Sequence, residues 1–222
     1  MSALSHLPSS QSIAADLHQN VPPDWYERSV KENLFQRYWH SRRITEVGKY
    51  SQKVTGEILD IGSADGYFTR RILAFTKAKK ITGIDVLKSS VDYASSRYKG
   101  LRSLVFKVGD AMNLKFPANK FAAVYILEAL EHVLDARIVL KEIYRVLKPG
   151  GYMIVLVPSE NWLFKLGWPI WLKTRGRIWH DTHLNFFDGS KLPQLVKKVG
   201  FTKIEVHTFI LGMLLLVKAR KP

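Results

Sequence analysis

The 222-residue chain contains no cysteine, which excludes both a disulfide framework and a thiolate metal site. Long hydrophobic runs are missing too. The longest near the C-terminal end, Phe209 to Val217, has nine residues and is too short to cross a bilayer as a helix. Residues 1–24 lack the basic start and following apolar run of a secretory signal. These absences lead us to expect a soluble, cytoplasmic protein. Acidic residues are scarce: 19 Asp and Glu stand against 34 Lys and Arg, a net charge of +15, of which residues 159–222 carry +7. Such an imbalance points to anionic partners (nucleic acid, anionic lipid or an acidic substrate) or to a generally basic, solvated surface. No RNA-binding module and no Asn-Pro-Pro-Tyr-type site for base amino groups is visible, which weighs against nucleic acid.

What is present is enough apolar residue, 46%, for one globular α/β domain. The chain is organised around Glu57-Ile-Leu-Asp-Ile-Gly-Ser-Ala-Asp-Gly-Tyr-Phe-Thr-Arg-Arg-Ile-Leu73. Ile58 to Ile61 reads as a buried strand, Gly62 to Gly66 as a turn, and Phe68, Ile72 and Leu73 fall at helical spacing. Strand, glycine turn and helix make a cradle for a ligand, because glycine permits close backbone approach and a helix start presents free N–H groups. Two further absences bear on which ligand. The dinucleotide pattern G-x-G-x-x-G is not met, since Ala64 lies between Gly62 and Gly66 and Tyr67 takes the third-glycine position. No Gly-Lys-Ser/Thr follows, so there is no phosphate loop. Asp60 ends the strand, and an acid there suits a cationic ligand better than a pyrophosphate.

Strand and helix patterns then alternate. Ile81–Asp85 reads as a second strand, Ser89–Tyr98 as a helix, and Leu104–Ala111 as a third strand with Asp110 near its end. An acid at the end of the second strand of a doubly wound sheet can accept both hydroxyls of a ribose, which makes Asp85 a candidate for any adenosine ligand. Phe121–Leu127 is a continuous apolar run and so a central strand. A helix over 135–147 stops at Lys148-Pro-Gly-Gly151, and strand five starts at Tyr152. A helix over 189–199 precedes an antiparallel pair, 201–207 and 210–218. The expected fold is a single doubly wound, seven-stranded, mostly parallel α/β sheet with an antiparallel last strand. Residues 1–23 are expected to form a flexible arm, 24–50 one or two amphipathic helices capping the domain, and 51–222 the domain itself. Residues 158–188 interrupt the alternation with four of the six tryptophans (Trp162, Trp168, Trp171, Trp179) and with Lys165, Lys173, Arg175 and Arg177.

The stretch at 57–73 resembles motif I of the class I S-adenosylmethionine-dependent methyltransferases, with Ala64 where that family often has glycine. Leu130-Glu-His-Val133, Arg145-Val-Leu-Lys-Pro-Gly-Gly151 and His183-Leu-Asn-Phe-Phe187 resemble further segments of its quinone- and small-molecule-modifying members, in the same order. The resemblance covers about residues 56–219 and implies a Rossmann-like methyltransferase fold with S-adenosylmethionine as cofactor. It places the cofactor on Asp60, Gly62, Ser63, Ala64, Gly66, Asp85, Val86, Asp110, Ala111 and Leu127, with Asp110 at the adenine amino group. It implies in-line methyl transfer to a small-molecule or lipid-like acceptor.

An oxygen or nitrogen acceptor can also need a base. His183 and His132 are the first candidates, with Glu131 and His180 behind them. His180-Asp-Thr-His183 is too sparse to assign a metal. The tryptophans and basic residues of 159–183 suit contact with an anionic membrane. The alternatives are an RNA or protein methyltransferase using the basic surface, and a non-catalytic protein that binds S-adenosylmethionine.

Overall fold

The computed structural model describes residues 21–159 and 183–222. The arm at 1–20 and most of the aromatic, basic stretch at 158–188, including its four tryptophans and His180, lie outside the described residues. Seven strands form one sheet: β1 Glu57–Ile61, β2 Lys80–Asp85, β3 Leu104–Val108, β4 Phe121–Leu127, β5 Leu147–Pro158, β6 Thr202–Phe209 and β7 Leu214–Arg220. Their order is β3-β2-β1-β4-β5-β7-β6, and only β7 runs antiparallel to its neighbours. The chain steps outward from β1 to β3, then returns to β4 on the other side of β1. That reversal opens a crevice beyond the carboxyl ends of β1 and β4, where α/β sheets bind ligands.

The central strands are buried on both faces, which is why they read as unbroken apolar runs. Alternate residues of β4 serve opposite layers. Val124 and Ile126 pack towards α5 (Ala136–Val146) and α6 (Lys191–Val199), with Leu140, Ile143, Leu192 and Val196. Ala123, Tyr125 and Leu127 pack on the other side, with Ile72 of α3 (Tyr67–Thr76), Val91 of α4 (Lys88–Arg97) and Val47. The two-residue period thus fills two cores from one strand.

Three boundaries differ from the sequence reading. Strand five begins at Leu147, not Tyr152: Leu147 pairs with Phe121, and a register shift carries Lys148-Pro-Gly-Gly past the sheet before Tyr152 pairs with Ala123. Strand three ends at Val108, so Asp110 sits in the following loop. The last two strands are separated by Ile210, Leu211 and Gly212, all in the left-handed region, where a strand cannot continue.

The N-terminal segment forms two helices, α1 Trp25–Glu32 and α2 Leu34–Tyr50. Asn33 divides them by accepting from the N–H groups of Phe35 and Gln36, the geometry of an N-cap. The buried face of α2 carries His40, Arg43, Glu46 and Val47, whereas Leu34, Phe35 and Tyr38 are exposed. Its first apolar residues therefore do not mark its inner side, although Val47 is in the core and Trp39, Ile44 and Tyr50 pack half-buried against it.

Candidate functional site

The turn after β1 is built by backbone geometry. Gly62 has φ +73°, and a Cβ there would lie 2.5 Å from the Cβ of Ala129, so no larger residue fits. Gly66 has φ +75°, and a Cβ there would meet Phe106 and Tyr98 at 2.7 and 2.8 Å. Ala64 also takes a positive φ, 44°, a conformation that costs an alanine about 1–2 kcal/mol. The turn is tied to β2, since the N–H groups of Gly62 and Ser63 donate to the Ile84 carbonyl at 2.8 and 3.0 Å.

Asp85 completes this cradle. Its two carboxylate oxygens accept from the N–H groups of Ala64 and Leu87, each at 2.9 Å. A carboxylate offers about four acceptor positions, so the same group can also take hydroxyls of a ligand. Asp65, inside the turn, accepts from Tyr67 N–H at 3.0 Å and from Glu27 N–H of α1 at 2.9 Å. Burial pushes its carboxyl up to about 7, against those hydrogen bonds. Glu27 in turn accepts from the Tyr93 hydroxyl at 2.8 Å and pairs with Arg97, both on α4. The first helix is thereby fastened across the turn.

A cleft lies among these elements. Its walls include Gly62, Ala64, Asp65, Asp85, Val86, Ala111, Glu128, Ala129 and His132, with Pro22, Pro23, Trp25 and Tyr26 from the N-terminal side. Of the residues expected to bind a cofactor, Gly62, Ala64, Asp85, Val86 and Ala111 line it. Gly66 caps α3 behind the turn, and Ser63 is buried beside Gly83. Leu127 belongs to the core. Asp110 accepts from Met112 N–H at 2.8 Å, and its neighbours Gly109 and Ala111 form the wall. Asp60 is 2% exposed and accepts from the Thr69 hydroxyl at 2.6 Å, and it does not line the cleft. Burial raises its carboxyl to about 7, with Asp85 adding to the rise and Thr69 opposing it.

Asp65, Glu128 and Ala129 are among the wall residues that escaped the sequence reading as site residues. Asp65 was visible inside the motif I turn. Glu128 follows β4 with φ +53° and pairs with Arg43 of α2. Burial raises the Glu128 carboxyl, and Arg43 opposes that rise. The Arg43 guanidinium also touches His40 Nδ1 at 2.8 Å and lies over the Phe68 ring at 4.9 Å. His40, buried beside this cation, falls to about 2 and stays neutral.

The two candidate bases meet. His132 ends a short 3-10 turn, Leu130–His132, and its ring centroid is 5.1 Å from that of His183. The approach is enforced by backbone: the N–H groups of Leu184 and Asn185 donate to the Glu131 carbonyl at 2.8 and 2.9 Å. The Asn185 side chain donates to the Val133 carbonyl.

The cleft carries three carboxylates, Asp65, Asp85 and Glu128, and among the described residues no Lys or Arg lines it. In a chain of charge +15 that is a local scarcity of positive charge, although Arg43 already balances Glu128 and burial holds the Asp65 carboxyl at about 7. It fits a ligand that is itself cationic and carries ribose hydroxyls.

Comparison with known proteins bears directly on this geometry. The family described as "Methyltransferase domain" matches residues 30–206. The demethylmenaquinone methyltransferase of Staphylococcus haemolyticus (strain JCSC1435) is 30% identical over 183 residues, 72% of this chain and 74% of that protein. The sterol 24-C-methyltransferase of Aspergillus fumigatus is 43% identical over 99 residues, 43% of this chain and 26% of that protein. Phosphoethanolamine N-methyltransferase 2 of Haemonchus contortus, solved with S-adenosyl-L-methionine, superimposes with a TM-score of 0.67 at 16% identity, over 98% of this chain and 61% of that one.

Proposed function

The chain belongs to the methyltransferase-domain family and uses S-adenosylmethionine, and from that premise we propose that it methylates a small-molecule or lipid-like acceptor, with the donor held in the cleft beside Gly62. The observation that carries this reading is the cleft at the carboxyl ends of β1, β2 and β4, whose described walls hold carboxyl groups and no Lys or Arg. S-adenosylmethionine, when bound, supplies an electrophilic methyl group on a sulfonium, so the protein's share of the work is placement and exclusion of water. Gly62 admits the ligand to the backbone. Asp85 accepts the ribose hydroxyls. Asp65, where ionised, favours a cationic ligand, and the Gly109–Ala111 wall takes the base, with Asp110 behind it. Residues 24–50 act as a cap on the domain at 51–222, and Trp25 and Tyr26 close one side of the cleft. His132 and His183 stand where a proton can be taken from an acceptor.

The acceptor class is supported by the relatives, one named for a quinone and one for a sterol. Among the described residues no helix is long and apolar enough to cross a membrane. A lipid-like acceptor would be met at a membrane surface, where the basic final third of the chain favours anionic headgroups. The test is incubation of the purified chain with methyl-labelled S-adenosylmethionine and cell extract, followed by fractionation. Label in the lipid or small-molecule fraction supports the reading. Label in RNA or protein overturns the acceptor class, and absence of label from every fraction overturns transfer itself.

A further inference from the structure

One cluster beside the cleft has no task in holding the methyl donor. Glu131 and His132 end the 3-10 turn, and His183 arrives from the segment before α6. One ligand atom from each lies within 4.8 Å of the others. Glu131 is 2% exposed, and its Oε2 is buried with no hydrogen-bond partner among the described residues. A buried carboxylate oxygen left in that state is costly, and a cation beside it removes the cost.

We propose that Glu131, His132 and His183 bind a divalent first-row transition ion at the edge of the cleft. Two imidazoles and one carboxylate suit zinc and its neighbours, whereas magnesium and calcium take oxygen ligands. Bonds of about 2.0–2.2 Å place the donors of one ion about 3–4 Å apart, so modest side-chain rotation from the 4.8 Å spread closes the site. The backbone is already set for it, because the N–H groups of Leu184 and Asn185 hold the His183 segment against Glu131. Among the described residues, His183 is joined by Glu131 and His132, which stand far earlier in the chain.

Three protein ligands leave a coordination position open for a substrate atom. His132 also lines the cleft, so that position adjoins the acceptor's space. This consequence rests on the methyltransferase reading, and with the ion bound it replaces His132 and His183 as the means of removing the acceptor's proton, because a ligating ring nitrogen cannot take one. An acceptor hydroxyl on the ion loses its proton to solvent more readily, as metal-bound water does. Its oxygen then forms the bond to the methyl carbon, and the sulfur–methyl bond breaks to leave a neutral thioether.

The test uses the full chain, stripped of metal by dialysis against a chelator. Calorimetric titration with Zn2+ and absorption spectra with Co2+ are expected to show one ion per chain. His183→Ala and Glu131→Gln should each weaken Zn2+ binding at least tenfold. His207→Ala, on the edge strand β6 where its ring meets Glu46, should leave it unchanged. Circular dichroism and urea unfolding on each variant establish that it is folded, and His183→Ala, on a half-buried loop residue, is the variant least able to disturb the core. Zn2+ binding that is absent from the wild type, or unchanged in folded His183→Ala, overturns the ion site. Either result leaves S-adenosylmethionine binding and methyl transfer untouched, so the two readings fail separately.

Discussion

Arg43, on the second N-terminal helix, is ion-paired with Glu128, the first residue after the fourth strand. The pair ties a helix that precedes the sheet to the wall of the cleft. Arg43 is 2% exposed, so its guanidinium cannot simply turn to water. Removing one partner from such a pair leaves the other charge buried and is expensive.

Arg43→Met is therefore expected to lower stability by about 3 kcal/mol, the lower end of the range for breaking a buried pair. The loss stays at that end because burial already raises the Glu128 carboxyl, which can take a proton when its partner is gone. The double variant Arg43→Met, Glu128→Gln should recover most of the loss. Urea unfolding of the two single variants and the double measures this. An unchanged midpoint in Arg43→Met contradicts it.

Asp60 makes a prediction about pH. Its folded carboxyl sits at about 7, against about 3.9 when unfolded. The fold thus favours the neutral form. That contribution is fully present below about pH 4 and is lost as pH rises through about 7. Asp60→Asn, close in shape to the protonated acid and still able to accept from Thr69, should flatten the fall in stability between pH 4 and 7 and be the more stable chain at pH 8. Asp65 titrates in the same window, so the slope is reduced rather than abolished. Unfolding midpoints of both chains across that range test it, and parallel curves would count against a buried, neutral Asp60.

Gly62→Ala adds one methyl group where the Cβ meets Ala129 at 2.5 Å, on a backbone at φ +73°. The conformation alone costs about 1–2 kcal/mol. We expect reduced stability and at least a tenfold loss of S-adenosylmethionine affinity, because the added atom displaces the turn. Thermal unfolding and calorimetry read the two effects separately. Unchanged affinity would mean that the ligand does not approach this backbone.

Trp25 and Tyr26 sit in the cleft wall, and Asp65 holds the Glu27 N–H. Binding of the cofactor should therefore slow hydrogen exchange across residues 25–32. Equal exchange with and without cofactor would make this helix a fixed part of the core and not a cap.

Much of this was legible in the chain. The strands announced themselves because a sheet buried on both faces needs unbroken apolar runs, as at Phe121–Leu127. Asp85 was legible because the end of the second strand is fixed by the same pattern. Asp60 shows where pattern reading stops: its place at the end of β1 was visible, but not that it faces Thr69 and the helix rather than the cleft. The inner face of α2 was illegible for a different reason. Polar residues, His40, Arg43 and Glu46, are buried there because each finds a partner outside the helix (Ser29, Glu128 and His207), and periodicity of apolar residues carries no trace of them. The meeting of His132 with His183 depends on backbone hydrogen bonds between segments far apart in sequence, which no local spacing encodes.

The central claim is that the turn at Gly62 and the carboxylate of Asp85 hold S-adenosylmethionine. Calorimetric titration of the full chain and of Asp85→Ala tests it most directly. The account predicts one site per chain, weakened by about 1–3 kcal/mol in the variant, the range for losing hydrogen bonds to a charged group. Saturable binding of equal affinity in both chains would contradict it.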